Sequence, residues 1–192
     1  QSFMSDPDLQ NPAEPVTNIN AIIDGRRANL GSMKQQGIDL NLAYSFSTSF
    51  GDWRVGFDAA KILDLTRSIA PGLPYVDVLD TFSNPVDLRA RASVGWRLHG
   101  WSANAYLNYV DSYLNTAISP NVEVDSYETV DASVVYDFGD ERGALSGVSL
   151  SVNAQNLLDE DPPIVLNGIV SWDNQNVSPL GRFVSFVLTK RW

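Results

Sequence analysis

Few side chains here could do chemistry, and their spacing suits none of the usual reactions. His99 is the only histidine in 192 residues, and there is no cysteine. A Ser–His–Asp relay, a thiolate nucleophile and a His/Cys zinc site each need more partners than that. His99 stands in "LHGW" (Leu98–Trp101), where a solvated turn residue is the plain reading. The densest acidic run, "DEDPP" (Asp159–Pro163), offers hard oxygen ligands of the kind Ca²⁺ takes. Such a run is more often simply solvated, its two prolines stiffening the exit, and no metal is expected at 159–161. No catalytic residue and no cofactor are expected either, so the chain is not read as an enzyme.

What remains is binding chemistry. Arg54, Asp58, Asp87, Arg89, Arg91, Arg97 and Asp131 fall on the polar side of alternating stretches. Such a row can attract a polar substrate or contact another domain. Alternatively it forms a ladder of cross-strand ion pairs, each worth less than about 1 kcal/mol, that keeps a wall wet and in register. Tyr75, Tyr113, Tyr127 and Trp172 stand in polar, proline-rich connectors and are expected as exposed rings. There they either stack on sugars or catechols, carrying much of an affinity, or pack against neighbouring loops. The stretch "SWDNQNVS" (Ser171–Ser178) places Asn174 and further amides beside the Trp172 ring, a composition that could grip a glycan.

The elements that must position these residues are strands. Apolar and polar residues alternate with period two along most of the chain. Ile38, Leu40, Leu42, Tyr44 and Phe46 oppose Asp39, Asn41, Ala43, Ser45 and Ser47. Similar alternation recurs from Trp53, Val86, Trp101, Val130 and Val148, and again at the end, where Val184, Phe186, Leu188 and Trp192 oppose Ser185, Thr189 and Arg191 while Val187 breaks the polar row. Seven strands result. An eighth is possible from Val16, though its alternation is poor, and no amphipathic helix of useful length is present. Tight connectors at Thr48–Asp52, His99–Gly100 and Gly139–Gly147 alternate with long ones at 66–85, 111–128 and 157–181. That rotation predicts a sheet with one plain end and one elaborated end.

The formal charge of −10 and pI near 4.3 exclude nucleic acid as a natural partner. No apolar run is long enough for a membrane-spanning helix, but a spanning β-strand needs only about 9–11 residues, half of them polar. The first residues carry neither a basic segment nor an apolar stretch, so they are not read as a signal peptide. Period-two alternation serves a soluble sandwich and a membrane barrel equally. Charges in mid-strand favour the barrel, as do Tyr44, Phe46, Trp53, Trp96, Trp101, Tyr136, Phe138 and Trp192, which band near the strand ends at the short turns. An amphipathic ring sits well at headgroup depth, whereas a sandwich has no reason to band its aromatics there.

The stretches "NAQNLLDEDPPIV" (Asn153–Val165) and "SPLGRFVSFVLTKRW" (Ser178–Trp192) resemble the C-terminal signature of TonB-dependent outer-membrane receptors. "NLGSMKQQGIDLNLAY" (Asn29–Tyr44) and "FSNPVDLRARASVGW" (Phe82–Trp96) resemble the same family's earlier barrel strands. The resemblance implies an antiparallel up-and-down barrel of 22 strands in the bacterial outer membrane. This chain would supply about seven C-terminal strands over 29–192, after an external loop or poorly formed strand at 1–28. It also implies a plug domain, absent here, that is displaced under TonB pull while a siderophore, cobalamin or glycan is imported. Arg54, Asp58, Asp87, Arg89, Arg91 and Asp131 would then line the lumen or touch the plug. Val184, Phe186, Leu188 and Trp192 would be the strand that the barrel-assembly machinery reads. Lys190, at an outward position, is expected to snorkel to the headgroups. Two other readings stay open: a soluble β-sandwich that binds carbohydrate, and a complete small barrel of eight strands.

Overall fold

The computed structural model describes residues 31–140, 143–166 and 172–191. The stretch from Val16, the whole of 1–28, and Trp192 lie outside the described residues. Within them the chain is a sheet of long antiparallel strands: β1 (Ser32–Thr48), β2 (Gly51–Ser68), β4 (Leu88–Leu98), β5 (Trp101–Val110), β8 (Tyr127–Asp137), β9 (Val148–Gln155) and β10 (Phe183–Lys190). They pair in the order β1-β2-β4-β5-β8-β9-β10, each long strand beside the next, which is the up-and-down topology of a barrel wall. Three short strands sit in the connectors. β3 (Val76–Asp77) folds back on β2, and β6 (Tyr113–Asn115) pairs with β7 (Val122–Val124). Among the described residues β1 and β10 do not pair with each other, so the sheet stays open.

The register explains the alternation. One row runs Phe46, Trp53, Trp96, Ala103, Val134, Val152, Phe186, and the next runs Tyr44, Val55, Val94, Ala105, Ala132, Ala154, Val184. Every member is apolar or aromatic. The intervening row runs Ser45, Arg54, Gly95, Asn104, Ser133, Asn153, Ser185, all polar or small apart from the single charge of Arg54. One-residue slippage would exchange these faces wholesale, which is why the register is strongly specified. The apolar face is bare: Ile38, Leu42, Leu107, Phe186 and Leu188 are all exposed, Phe186 at 73%. No second sheet lies over it among the described residues, so the sandwich reading is set aside; a sandwich buries that face against a partner sheet.

The plain end is built for tight turning. His99 and Gly100 both take left-handed backbone (φ 45° and 86°), a two-residue hairpin matched to the strand twist. A Cβ on Gly100 would lie 2.6 Å from the Asp137 carbonyl oxygen, so only glycine fits. Rings crowd this end. Phe46 and Trp53 stack at 6.4 Å, Trp101 meets Tyr136 at 4.6 Å, and Tyr136 meets Phe138 edge-on at 4.8 Å. The Trp96 indole N–H donates to the Phe50 carbonyl at 2.6 Å, fastening an apolar ring to the turn's polar backbone. This is the amphipathic arrangement an interfacial girdle requires. Lys190 also turns to this end, its ammonium donating to the Ser146 carbonyl.

Candidate functional site

The candidate site has two parts, a polar wall and a platform of loops above it. On the wall, Arg54, Asp58, Arg89, Arg91 and Asp131 share the polar face with Asn41, Asn104 and Asn108. Asp87 leaves that row. It precedes β4, its carboxylate binds the Lys61 ammonium, its N–H donates to Asp80 Oδ1 at 2.6 Å, and its carbonyl accepts from Ile62 at 2.7 Å. It therefore braces the strand mouth instead of facing a lumen.

The expected ladder of ion pairs does not form among these residues. Asp58 and Arg91 stand directly opposite in the register, yet Asp58 accepts from Asn41 while the Arg91 guanidinium lies 4.2 Å from the Tyr106 ring centre. Cation–π stacking keeps a planar guanidinium ordered without a carboxylate. Asp131 accepts from Asn108 Nδ2 at 2.9 Å and from the Asn156 N–H at 3.0 Å. Among the described residues the ion pairs are Lys61–Asp87, Arg182–Asp159 at 3.4 Å and Arg191–Asp137 at 2.8 Å, all near strand ends. The wall is held by amides and hydroxyls, which take up its carboxylates in place of ion pairs.

The loops are cross-braced into one body. Thr81 bridges Leu114, with Phe82 N–H donating to Leu114 O at 3.0 Å and Leu114 N–H to Asp80 O at 2.8 Å. Val86, Tyr113, Val124 and Val165 make a small buried core from all three long connectors, with Phe82 and Val110 packed on it. Asp173 is the polar keystone, only 1% exposed. Its carboxylate accepts from the Ser83 N–H at 3.0 Å, the Gln175 N–H at 3.0 Å and Asn176 Nδ2 at 3.1 Å. Asn176 also donates to Asn84 O at 2.9 Å, and the wall residue Arg89 donates to Asn176 Oδ1 at 2.7 Å. Arg89 thus pins the β9–β10 connector onto the wall.

This bracing reassigns the expected ligand rings. Tyr113 is 4% exposed and Tyr127 is 9%, so neither is the exposed stacking ring the sequence suggested. The Tyr127 hydroxyl donates to Glu160 O at 3.1 Å, which fixes it under the last connector. The Tyr113 hydroxyl is buried beside Asp173 without reaching a hydrogen bond of ordinary geometry. Burial first, then the Asp173 charge, push its phenol well above the usual range. Asp80, at the same junction, is raised as well, with burial outweighing the Asp87 N–H that stabilises its charge. Tyr75 is exposed, but its hydroxyl meets Ser32 Oγ at 2.8 Å and Lys34 covers its ring at 4.0 Å. Trp172 is half-buried and Asn174 exposed. In "DEDPP", Asp159 takes the Arg182 N–H at 2.7 Å, and no acidic or histidine cluster able to hold a metal occurs among the described residues.

Val184, Phe186 and Leu188 point to the bare apolar side of β10. Sequence reasoning missed Asp173 and Asn176. The run Asp-Asn-Gln-Asn was a signal, because Asp and Asn readily bond backbone two or three residues on. Their long-range partners could not be read from it.

A family model described as TonB dependent receptor-like, beta-barrel matches residues 4–157. No curated protein matches the chain. The up-and-down sheet, the bare apolar face ringed with aromatics and the family match over most of the length agree: this chain belongs to the TonB dependent receptor-like β-barrel family of outer-membrane receptors.

Proposed function

We propose that the chain is a wall segment of a receptor that imports a bulky, scarce ligand across the bacterial outer membrane, driven through TonB. The ligand class is a siderophore, cobalamin or a glycan. The single observation that carries this reading is the division of the sheet: one face continuously apolar and uncovered, the other polar, with charges held by amides and a ring and not by ion pairs. Lipid covers the first face. The second faces a plug domain and the passing ligand, with Arg54, Asp58, Arg89, Arg91 and Asp131 as its charged contacts. Tyr75, Trp172 and Asn174 would be the loop side chains that meet ligand first. Val184, Phe186 and Leu188 form the strand offered to the assembly machinery, with Trp192 closing the signal.

No covalent chemistry is asked of these residues. The wall stays rigid because backbone pairing runs unbroken from β1 to β10, and the plug moves instead. The test is to express the full reading frame that contains this segment in its host, fractionate the membranes, and compare nutrient-limited growth with and without TonB. Recovery in the outer membrane with TonB-dependent growth on one ligand class supports the reading. Recovery in the aqueous fraction overturns it.

A further inference from the structure

A cleft of about 260 Å³ opens on the polar face, between the strands β5, β8 and β9 and the returning limb of the last connector. The strands contribute Asn108, Thr129 and Gln155, and the connector contributes Val177, Ser178 and Leu180. Asp131 is the only charged residue in its lining among the described residues, and both its oxygens are engaged, by Asn108 and by the Asn156 N–H. No cation lines it. Arg89, which could have supplied one from the neighbouring wall, is held by Asn176. The Gln155 amide makes no hydrogen bond among the described residues.

Those properties select a ligand. An anionic chelate requires a positive partner once it leaves water, and this cleft has none to give. Pockets for drug-sized ligands measure roughly 300–1,000 Å³, so this smaller space suits a single small ring and neither a corrin nor a whole ferric chelate. A ring bearing several hydroxyls, with C–H faces between them, matches amides and hydroxyls interleaved with Val177 and Leu180. The site is also preformed, because Asn176 and Asp173 hold its connector against the wall before any ligand arrives.

We infer that this cleft is a saccharide subsite, which takes one neutral sugar unit of a larger glycan. The inference rests on the import reading above and narrows its ligand class. Gln155 and Asn108 would share hydroxyls, and Ser178 would close over the ring.

The test uses the full-length receptor in detergent micelles on an array of neutral hexose and pentose oligosaccharides, followed by calorimetric titration with the best-bound member. Ferric enterobactin, a trianionic tris-catecholate, and cyanocobalamin are the comparison probes. Wild type is expected to bind a neutral oligosaccharide, Gln155→Leu to bind it about tenfold more weakly, and Ser178→Trp, which fills the cleft, not to bind it at all. Gln155 is exposed, so its substitution leaves the fold intact and keeps the test valid should Ser178→Trp fold poorly. Equal sugar binding by wild type and Gln155→Leu overturns the inference, as does an array without a single bound glycan. Binding of only the ferric chelate or the cobalamin overturns it too, while leaving the import reading intact. Failure of the import reading would show instead as an aqueous protein or TonB-independent growth.

Discussion

Ala105 and Asn104 are neighbours on β5 with opposite surroundings, and an arginine at each should separate a lipid face from a wet one. Ala105 lies midway between two outward rings, Trp101 and Tyr109, on the row shared with Val94 and Ala132. At about 3.3 Å per residue and a strand tilt near 40°, each ring is about 10 Å away along the membrane normal. That puts Ala105 at the middle of an apolar band roughly 25 Å tall. An arginine there costs roughly 2–4 kcal/mol, on the order of a hundredfold in the folding equilibrium. Asn104 shares its row with Gly95 and Ser133 and makes only a long contact to Ser133 Oγ at 3.4 Å, so Asn104→Arg should cost under about 0.5 kcal/mol. The assay is reversible urea unfolding of the full receptor in lipid vesicles, followed by tryptophan fluorescence. Equal destabilisation by the two variants would refute the assignment of faces.

The loop platform yields two more expectations. Asp173→Ala strands the Ser83 N–H, the Gln175 N–H and the Asn176 amide, and should cost roughly 2–4 kcal/mol of local stability. Hydrogen exchange should quicken together at 81–84, 113–115 and 173–177, whereas faster exchange at 173–177 alone would contradict the cross-bracing. Tyr113→Phe removes a buried hydroxyl with no proper partner, so platform stability at pH 7 should be unchanged or up to about 1 kcal/mol higher. The Tyr113 phenol is raised in the fold, so its neutral form favours the folded state. That contribution is whole below the ordinary phenol pKa and drains away as pH climbs above it toward the folded value. Wild-type platform protection should therefore fall above about pH 10, and the Phe variant should lack that part of the fall, read as exchange at 113–115 against pH.

Much of the fold was legible because period two is a property of the strand backbone. Each stretch of alternating residues became a long strand, and the short turns fell where His99–Gly100 and Thr48–Asp52 marked them. Less legible was the irregularity opposite Gln36 and Gly37, where an extra residue on β2 shifts the phase. Leu65, wholly buried under the β2–β4 connector, owes its placement to that shift. The connectors were legible only as connectors. Nothing local says that Thr81 meets Leu114 or that Arg89 reaches Asn176, since those bonds join residues far apart in sequence. The tyrosines show the same limit. A ring in a polar stretch is open or buried according to what folds over it, and Tyr113 and Tyr127 are buried while Tyr75 stays exposed beneath a single lysine. The period of two put Arg54, Asp58, Arg89, Arg91 and Asp131 on one face but gave no sign that Asp87 leaves the row, and the partner of each charge depended on the strand alongside.

Site-directed spin labels at successive positions from 102 to 108 on β5 test the central claim most directly, using the full receptor in lipid vesicles. Collisions with dissolved oxygen report lipid exposure, and collisions with a polar nickel chelate report water. The account predicts strict alternation: labels at 103, 105 and 107 meet oxygen and exclude nickel, while those at 102, 104, 106 and 108 are less exposed to oxygen. Nickel reaching every position alike, with no period of two, would contradict it.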